Sequence, residues 1–322
     1  MRQFAKPTIV VSKCLEFDAC RYNGEMIPDV TIRNLQPFVT FIPVCPEVEI
    51  GLGTPRETIR IVEENGENRL VQPSTREDVT EKMEQFSNDF LQTIPDVDGF
   101  ILKNRSPSCG TRDVKIYSGF EKAPAKGKGA GLFGGAVVKK FSHLPIEEEG
   151  RLSNFIIREH FFTRLFTIAY YKMIKHNKNM KELVSFQSDN KYLFMAYNQV
   201  KQKELGHIIA NQKNEKIEVV FENYEKTLYE LFMRAPRYTS NVNVCEHIFG
   251  YFKTKLKKQE KDHFIELLQK YAEKKIPLSS LLTILKSWAI RFDEKYLLRQ
   301  TYFEPYPEAL VEISDSGKGR DY

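Results

Sequence analysis

Cysteine, tryptophan and long apolar stretches are all scarce in this 322-residue chain. Five cysteines, Cys14, Cys20, Cys45, Cys109 and Cys245, are too few and too scattered for the disulfide framework of a small secreted domain. No apolar run approaches the ~18–20 residues that a membrane-crossing helix needs. The first 20 residues show no signal-peptide cleavage pattern, so the expectation is a soluble protein of the cytoplasm, without membrane contact and with its thiols reduced. The six histidines lack a metal-ligand spacing such as HExxH, which leaves none of them a metal.

What is present is ordinary globular material, 41% hydrophobic and 28% charged, with length for about two domains. Residues 1–145 carry 19 basic and 19 acidic side chains, and the remainder carries 29 and 24, so all of the +5 net charge lies in the second part. Four of the five cysteines lie in the first 109 residues. Cysteine and positive charge thus segregate in opposite directions, as in a chemical module followed by one that meets a polyanion.

The first part reads as α/β. Residues 7–13, 38–44, 99–104 and 114–118 are short β-branched and aromatic runs suited to buried strands. Ser74 and Glu77 suggest a capping box opening a helix that carries Val79, Met83, Phe86, Phe90 and Leu91 and stops before Pro95. Alternating strands and helices predict a mostly parallel sheet with Rossmann-like layers, whose strand C-terminal ends are the usual ligand edge. The glycine-rich stretch 122–135 lacks the Lys-Ser/Thr ending of a Walker A loop and reads as a connector or a loop over the site. Residues 145–150 read as the junction, giving domains 1–145 and 146–322. The second domain is predicted all-α, from helical periodicity over 155–174, 191–197, 219–233, 244–256, 263–275 and 278–292.

Cys14, Cys45 and Cys109 each follow a predicted strand, so a parallel sheet brings them to one edge. Their Pro-, Ser- and Gly-rich flanks offer backbone N–H groups to thiolates. Three thiolates are one short of a tetrahedral structural zinc site or a fully ligated iron–sulfur cube. Cys20, six residues after Cys14, is close enough to be a fourth ligand that closes the site. Cys245, in a predicted helix, reads as a small buried apolar residue.

Cys14 with Arg21-Tyr22-Asn23-Gly24, then residues 43–56 (PVCPEVEIGLGTPR) and 102–110 (LKNRSPSCG), closely resemble the thiouracil desulfidase (TudS) family. Residues 241–253, 276–288 and 296–310 resemble the helical domain fused to it in two-domain bacterial proteins. The resemblance implies a 4Fe-4S cluster held by Cys14, Cys45 and Cys109 with one iron open. It also implies removal of sulfur from 4-thiouridine or 2-thiouridine in tRNA. The chain departs from the family pattern at Glu16-Phe17, where a Leu-Gly pair is common, at Asn23, where Asp is, and at Gln187, where His is.

Replacing C=S by C=O needs a thiophile, a base for water and stabilisation of the ring oxyanion. Glu47, two residues after Cys45, is the candidate general base, with Ser106 and Ser108 holding the base or the substrate carbonyl position. A first-turn helix carboxylate is the plainer account of Glu47, and shaping the turn around Pro107 that of the serines. Arg21, Arg56, Lys103, Arg105 and Arg112 suit phosphate contacts, and Tyr22 suits stacking on a pyrimidine. Lys253, Lys255, Lys257, Lys258 and Lys261, then Lys270, Lys274 and Lys275, are predicted to line one helix and its successor, near Arg237, Tyr238, Tyr251 and Tyr271, as an RNA-backbone surface. Two other readings remain: a desulfidase of free thiouracil, and a non-catalytic RNA-binding protein whose structural metal site is closed by Cys20.

Overall fold

The structure is a computed structural model that describes residues 2–120, 124–210 and 214–312. Its contacts divide the chain into unit 1, Met1–Ala169 with Pro307–Tyr322, and unit 2, Tyr170–Tyr306. The strands, all in unit 1, are β1 (Thr8–Ser12), β2 (Thr40–Val44), β3 (Arg60–Glu64), β4 (Glu67–Gln72), β5 (Glu77–Asp78), β6 (Gly99–Leu102), β7 (Val114–Tyr117), β8 (Ala125–Gly129) and β9 (Ile146–Glu148). Between and after them run α1 (Val30–Leu35), α2 (Pro46–Glu49), α3 (Thr80–Thr93), α4 (Leu132–Phe141), α5 (Glu149–Leu152) and α6 (Phe155–Asn177), the last of which supplies residues to both units.

A four-stranded, all-parallel sheet in the order β2-β1-β6-β9 forms the core of unit 1. Its centre is fully apolar: Ile9, Val10, Val11, Phe100, Ile101 and Leu102 are all inaccessible to solvent, as expected of strands covered on both faces. The α/β expectation thus holds, but 114–118 belongs elsewhere. It is β7 of a second sheet, in the order β5-β4-β3-β7-β8. The β3–β4 hairpin turns at Asn65-Gly66, both at positive φ, the pairing that a two-residue hairpin turn requires.

Three expectations are corrected here. The Ser74–Glu77 capping box does not form, because Glu77 and Asp78 pair with Gln72 and Val71 as β5, and α3 starts at Thr80 with its N–H on the Asp78 carboxylate at 2.9 Å. The junction at 145–150 contains β9, which extends the parallel sheet beside β6, so unit 1 runs on into α6. The glycine-rich stretch is neither a lid nor a connector: apart from residues 122–123, which lie outside the described residues, it forms β8 and the start of α4.

Unit 2 is all-α. Its helices are α7 (Met180–Asp189), α8 (Lys191–Tyr197), α9 (Gln199–Ala210), α10 (Ile217–Leu231), α11 (Tyr238–Gly250), α12 (Lys258–Ala272), α13 (Leu278–Arg291) and α14 (Lys295–Leu298). Aromatic rings fill its core, among them Tyr171, Phe186, Tyr224, Phe252, Phe264 and Trp288. Buried Asn241 joins two further tyrosines, donating to the Tyr271 hydroxyl at 3.1 Å and accepting from that of Tyr302 at 2.9 Å. Cys245 is fully buried there, and burial pushes its thiol up to about 12, consistent with a space-filling role.

Candidate active site

Strand order explains how distant cysteines meet. β2, β1 and β6 are neighbours and parallel, so the residues after their C-terminal ends emerge at one edge. Cys14 lies two residues past β1, Cys45 directly after β2 as the cap of α2, and Cys109 in the turn that follows β6. Cys45 and Cys109 are buried and Cys14 is half-buried.

Burial, then the neighbouring Cys45, pushes the Cys14 thiol up to about 12. Burial likewise holds Cys109 well above an ordinary thiol, with Cys14 and Cys45 adding to the effect and the Ser12 hydroxyl opposing it. Cys20 is buried as well and pushed up to about 12 by burial and then by Cys45. Four thiols therefore lie near enough to influence one another. Among the described residues no three His, Cys, Asp or Glu side chains approach closely enough to hold a single metal ion. A multinuclear iron–sulfur group spaces its thiolates more widely than one ion does, and its all-sulfur donor preference suits this set.

Beside the thiols lies a polar chain. The Ser108 hydroxyl, fully buried, donates to Glu47 Oε1 at 2.5 Å and lies 3.9 Å from Cys109 Sγ. Ser106 Oγ sits 2.9 Å from Ser108 Oγ and 3.4 Å from Glu47 Oε1, and accepts the Cys109 N–H at 3.1 Å. The other carboxylate oxygen, Glu47 Oε2, accepts from Arg56 Nε at 2.8 Å and from a terminal guanidinium nitrogen. Glu47, Ser106 and Ser108 are thus brought together, with Ser108 bridging the carboxylate and a cysteine sulfur.

The residues expected around the substrate part company. Tyr22 is 42% exposed, with the Arg21 guanidinium 5.4 Å from its ring centre and paired with Glu25 at 3.5 Å. Arg105 is exposed and held at φ +56°. Lys103 is instead engaged with Glu149 and the Asn104 side chain. Arg56 is not open to solvent: its side chain is 4% exposed and its guanidinium is committed to Glu47 and to backbone carbonyls.

Several supporting residues go unmarked in the sequence. Glu148 Oε1 accepts from Thr111 N at 2.7 Å, Thr111 Oγ1 at 3.0 Å and Arg112 N at 3.2 Å, and Glu149 Oε2 accepts from Asn104 N at 2.7 Å. The acidic run that reads as a junction therefore ties down both ends of the Cys109 loop. Carbonyls of that loop in turn accept the N-terminal N–H groups of α4: Gly131 N donates to Gly110 O, Leu132 N to Pro107 O and Gly134 N to Ser108 O, at 2.7–3.2 Å. Ser12 holds Lys103 N at 2.8 Å. Only the glycines carry a signal, and it resembles a phosphate loop.

The departures from the family pattern take structural roles. Glu16, at φ +69°, accepts from Arg33 at 2.9 Å and from Asp29 N. Asn23 donates to Glu25 at 2.6 Å, and buried Gln187 accepts from the Tyr224 hydroxyl at 2.6 Å. In unit 2 the expected helix over 244–256 ends at Gly250, so Lys253, Lys255 and Lys257 lie in a turn before α12 and do not line a helix. Lys255 pairs with Glu294, Lys270 with Glu266 and Lys275 with Glu273.

Comparison with known proteins places these features. A family profile described as 2-thiouracil desulfurase matches residues 9–149, and one described as a protein of unknown function (DUF1722) matches residues 191–307. The uncharacterized protein YbbK of Bacillus subtilis is 36% identical over 118 residues, 34% of this chain and 77% of that protein. The uncharacterized protein YbgA of Escherichia coli is 22% identical over 156 residues, 48% of this chain and 92% of that protein. A solved structure titled as the [4Fe-4S]-dependent thiouracil desulfidase TudS aligns with a TM-score of 0.36 at 26% identity, covering 46% of this chain and 93% of that one. On the profile match across the cysteine-bearing sheet and the identity to YbbK, the chain belongs to the 2-thiouracil desulfurase family.

Proposed function

We propose that the protein is a tRNA thiouridine desulfidase, converting 4-thiouridine or 2-thiouridine in tRNA to uridine with release of sulfide. The observation that carries the reading is the line Glu47–Ser108–Cys109, a carboxylate and a hydroxyl set beside a group of buried thiols. In this reading Cys14, Cys45 and Cys109 would hold a 4Fe-4S cluster, and Cys20 lies beside them without being needed as a ligand. When bound, the cluster supplies an open, thiophilic iron for the departing sulfur.

The chain's own residues do the rest. Glu47 accepts a proton from the attacking water, directly or through the Ser108 hydroxyl. Ser106 fixes the turn by accepting the Cys109 N–H and holds the second hydroxyl next to Ser108. The reaction balances as a thiocarbonyl plus water giving a carbonyl plus hydrogen sulfide. Tyr22, exposed at this edge, stacks on the pyrimidine, and exposed Arg105 is the cation for phosphate, with half-buried Arg21 held between the Tyr22 ring and Glu25. For the rest of the RNA, unit 2 offers exposed Lys253, Lys257, Lys258 and Lys274 with Tyr251 and Tyr238.

A second reading, desulfuration of free thiouracil, is favoured by the description of the family matched over residues 9–149, which names the free base. Nucleoside analysis of bulk tRNA after anaerobic incubation with the reconstituted protein decides between them. Loss of thiouridine with a matching gain of uridine supports the tRNA reading. Turnover of 2-thiouracil with tRNA untouched replaces it by the second, and turnover of neither refutes both.

A further inference from the structure

We infer that Arg56 is a positioning residue that locks the catalytic carboxylate to the loop bearing Cys20, and not a substrate contact. Its guanidinium reaches two separate parts of the site. Nε, at 2.8 Å, and one terminal nitrogen donate to Glu47 Oε2, while the other terminal nitrogen donates to the carbonyls of Cys20 and Gly53, each at 2.9 Å, and lies 3.5 Å from Thr54 Oγ1. Its backbone N–H also donates to Tyr22 O at 2.8 Å. With the side chain 4% exposed, no edge of the guanidinium faces solvent to receive a phosphate.

The division of labour on Glu47 follows. Arg56 occupies Oε2, which leaves Oε1 to the Ser106 and Ser108 hydroxyls, so the carboxylate can present only one oxygen toward the thiols. Because the same guanidinium holds the Cys20 carbonyl, which also lies 3.8 Å from Cys45 Sγ, the base and the cysteine loops are fixed relative to one another through a single side chain. Only a planar fork with several donors can bridge a carboxylate and two carbonyls at once; a lysine ammonium cannot span them.

The test rests on the desulfidase reading and separates its failure from that of Arg56. Arg56→Lys and Arg56→Gln are made in the full chain, reconstituted anaerobically, and assayed on free 2-thiouracil, which carries no phosphate, and on thiolated tRNA. Positioning predicts that kcat falls roughly 10- to 100-fold on every substrate that wild type turns over, one or both, with KM nearly unchanged and Arg56→Lys recovering only part of the loss. A rise in KM confined to tRNA, with the free base turned over normally, overturns the inference in favour of a phosphate contact. Wild-type kcat on every such substrate overturns it too. A second readout needs no turnover: in the cluster-free full chain, iodoacetamide should label Cys20 several-fold faster in Arg56→Gln than in wild type, with Cys245 labelling unchanged. Equal Cys20 rates overturn the clamp. Should wild type turn over neither substrate, the desulfidase reading falls and the labelling alone decides the role of Arg56.

Discussion

Two adjacent glycines should respond to the same substitution with opposite signs. Gly134 and Gly135 both lie near the start of α4, where alanine in place of glycine gains up to about 1 kcal/mol from backbone entropy. At Gly135 nothing opposes that gain, because an added Cβ meets only the Ala130 Cβ at 3.4 Å. At Gly134 it would lie 2.7 Å from the Gly110 carbonyl carbon and closer still to the carbonyl oxygens of Gly110 and Cys109. Real Cβ atoms essentially never come within 3.0 Å of such atoms, so helix or turn must shift by several tenths of an ångström, and such overpacking costs about 1–3 kcal/mol or more. All the blocking atoms are backbone of the Cys109 turn, so no side chain can swing aside. We therefore expect Gly135→Ala to raise the melting temperature of unit 1 by up to about 2–4 °C and Gly134→Ala to lower it by at least as much. Thermal and urea melts followed by circular dichroism check the stability. The rate at which Cys109 is alkylated below the transition checks the mechanism, and it should rise in Gly134→Ala only. Gly134→Ala matching Gly135→Ala in both measurements would refute the claim that α4 is the seat of the Cys109 turn.

Four further outcomes are expected. Glu47→Gln keeps the shape of the carboxylate but not its basicity, and kcat should fall by about 10²–10⁴ while the fold is retained, as read by steady-state kinetics and circular dichroism. Changing Cys14, Cys45 or Cys109 to Ser should each lower iron and labile sulfide after anaerobic reconstitution; Cys20→Ser should leave them near wild type, and a matching loss would make Cys20 a ligand. Burial and the Arg164 charge lower the His160 imidazole from 6.5 to about 3, so the unfolded chain takes up the proton first. That contribution to stability is intact above about pH 6.5 and declines as pH falls toward 3, so the drop in urea midpoint between pH 7.5 and 4.5 should shrink in His160→Gln. Tyr302→Phe removes the donor to buried Asn241 and should cost unit 2 about 1–3 kcal/mol in a urea melt.

The parts of the fold written in apolar runs are legible in the sequence. Strands such as TIVVS and GFIL stand out because both their faces are buried, and the convergence of Cys14, Cys45 and Cys109 follows once those strands are parallel. Of the second sheet β7 is legible as the run 114–118, but β3 and β4 are not, because charged residues interrupt their short apolar stretches; the usable signal is the Asn65-Gly66 turn between them. β8 is hidden by its glycines, and β9 by a proline and three glutamates that resemble a linker. The grouping of Glu47, Ser106 and Ser108 beside the cysteines is readable from their spacing to those cysteines. Arg56 reads as a phosphate contact, since nothing in a sequence distinguishes a solvated guanidinium from one that is buried against a carboxylate brought in by the fold.

The last described residues of the chain belong to unit 1. Leu310 is buried there, Asn34 donates to the Glu312 carboxylate, and Arg158 donates to the Glu312 carbonyl at 3.1 Å. During synthesis, the parallel sheet therefore has all four strands long before this closing piece is made. Between them lie the roughly 140 residues of unit 2, which at the ~5–20 residues per second of a translating ribosome take about 7–30 s. The nascent sheet must persist through that interval with its α1 flank uncovered, so the completion of the cysteine-bearing unit is timed by the making of the helical one.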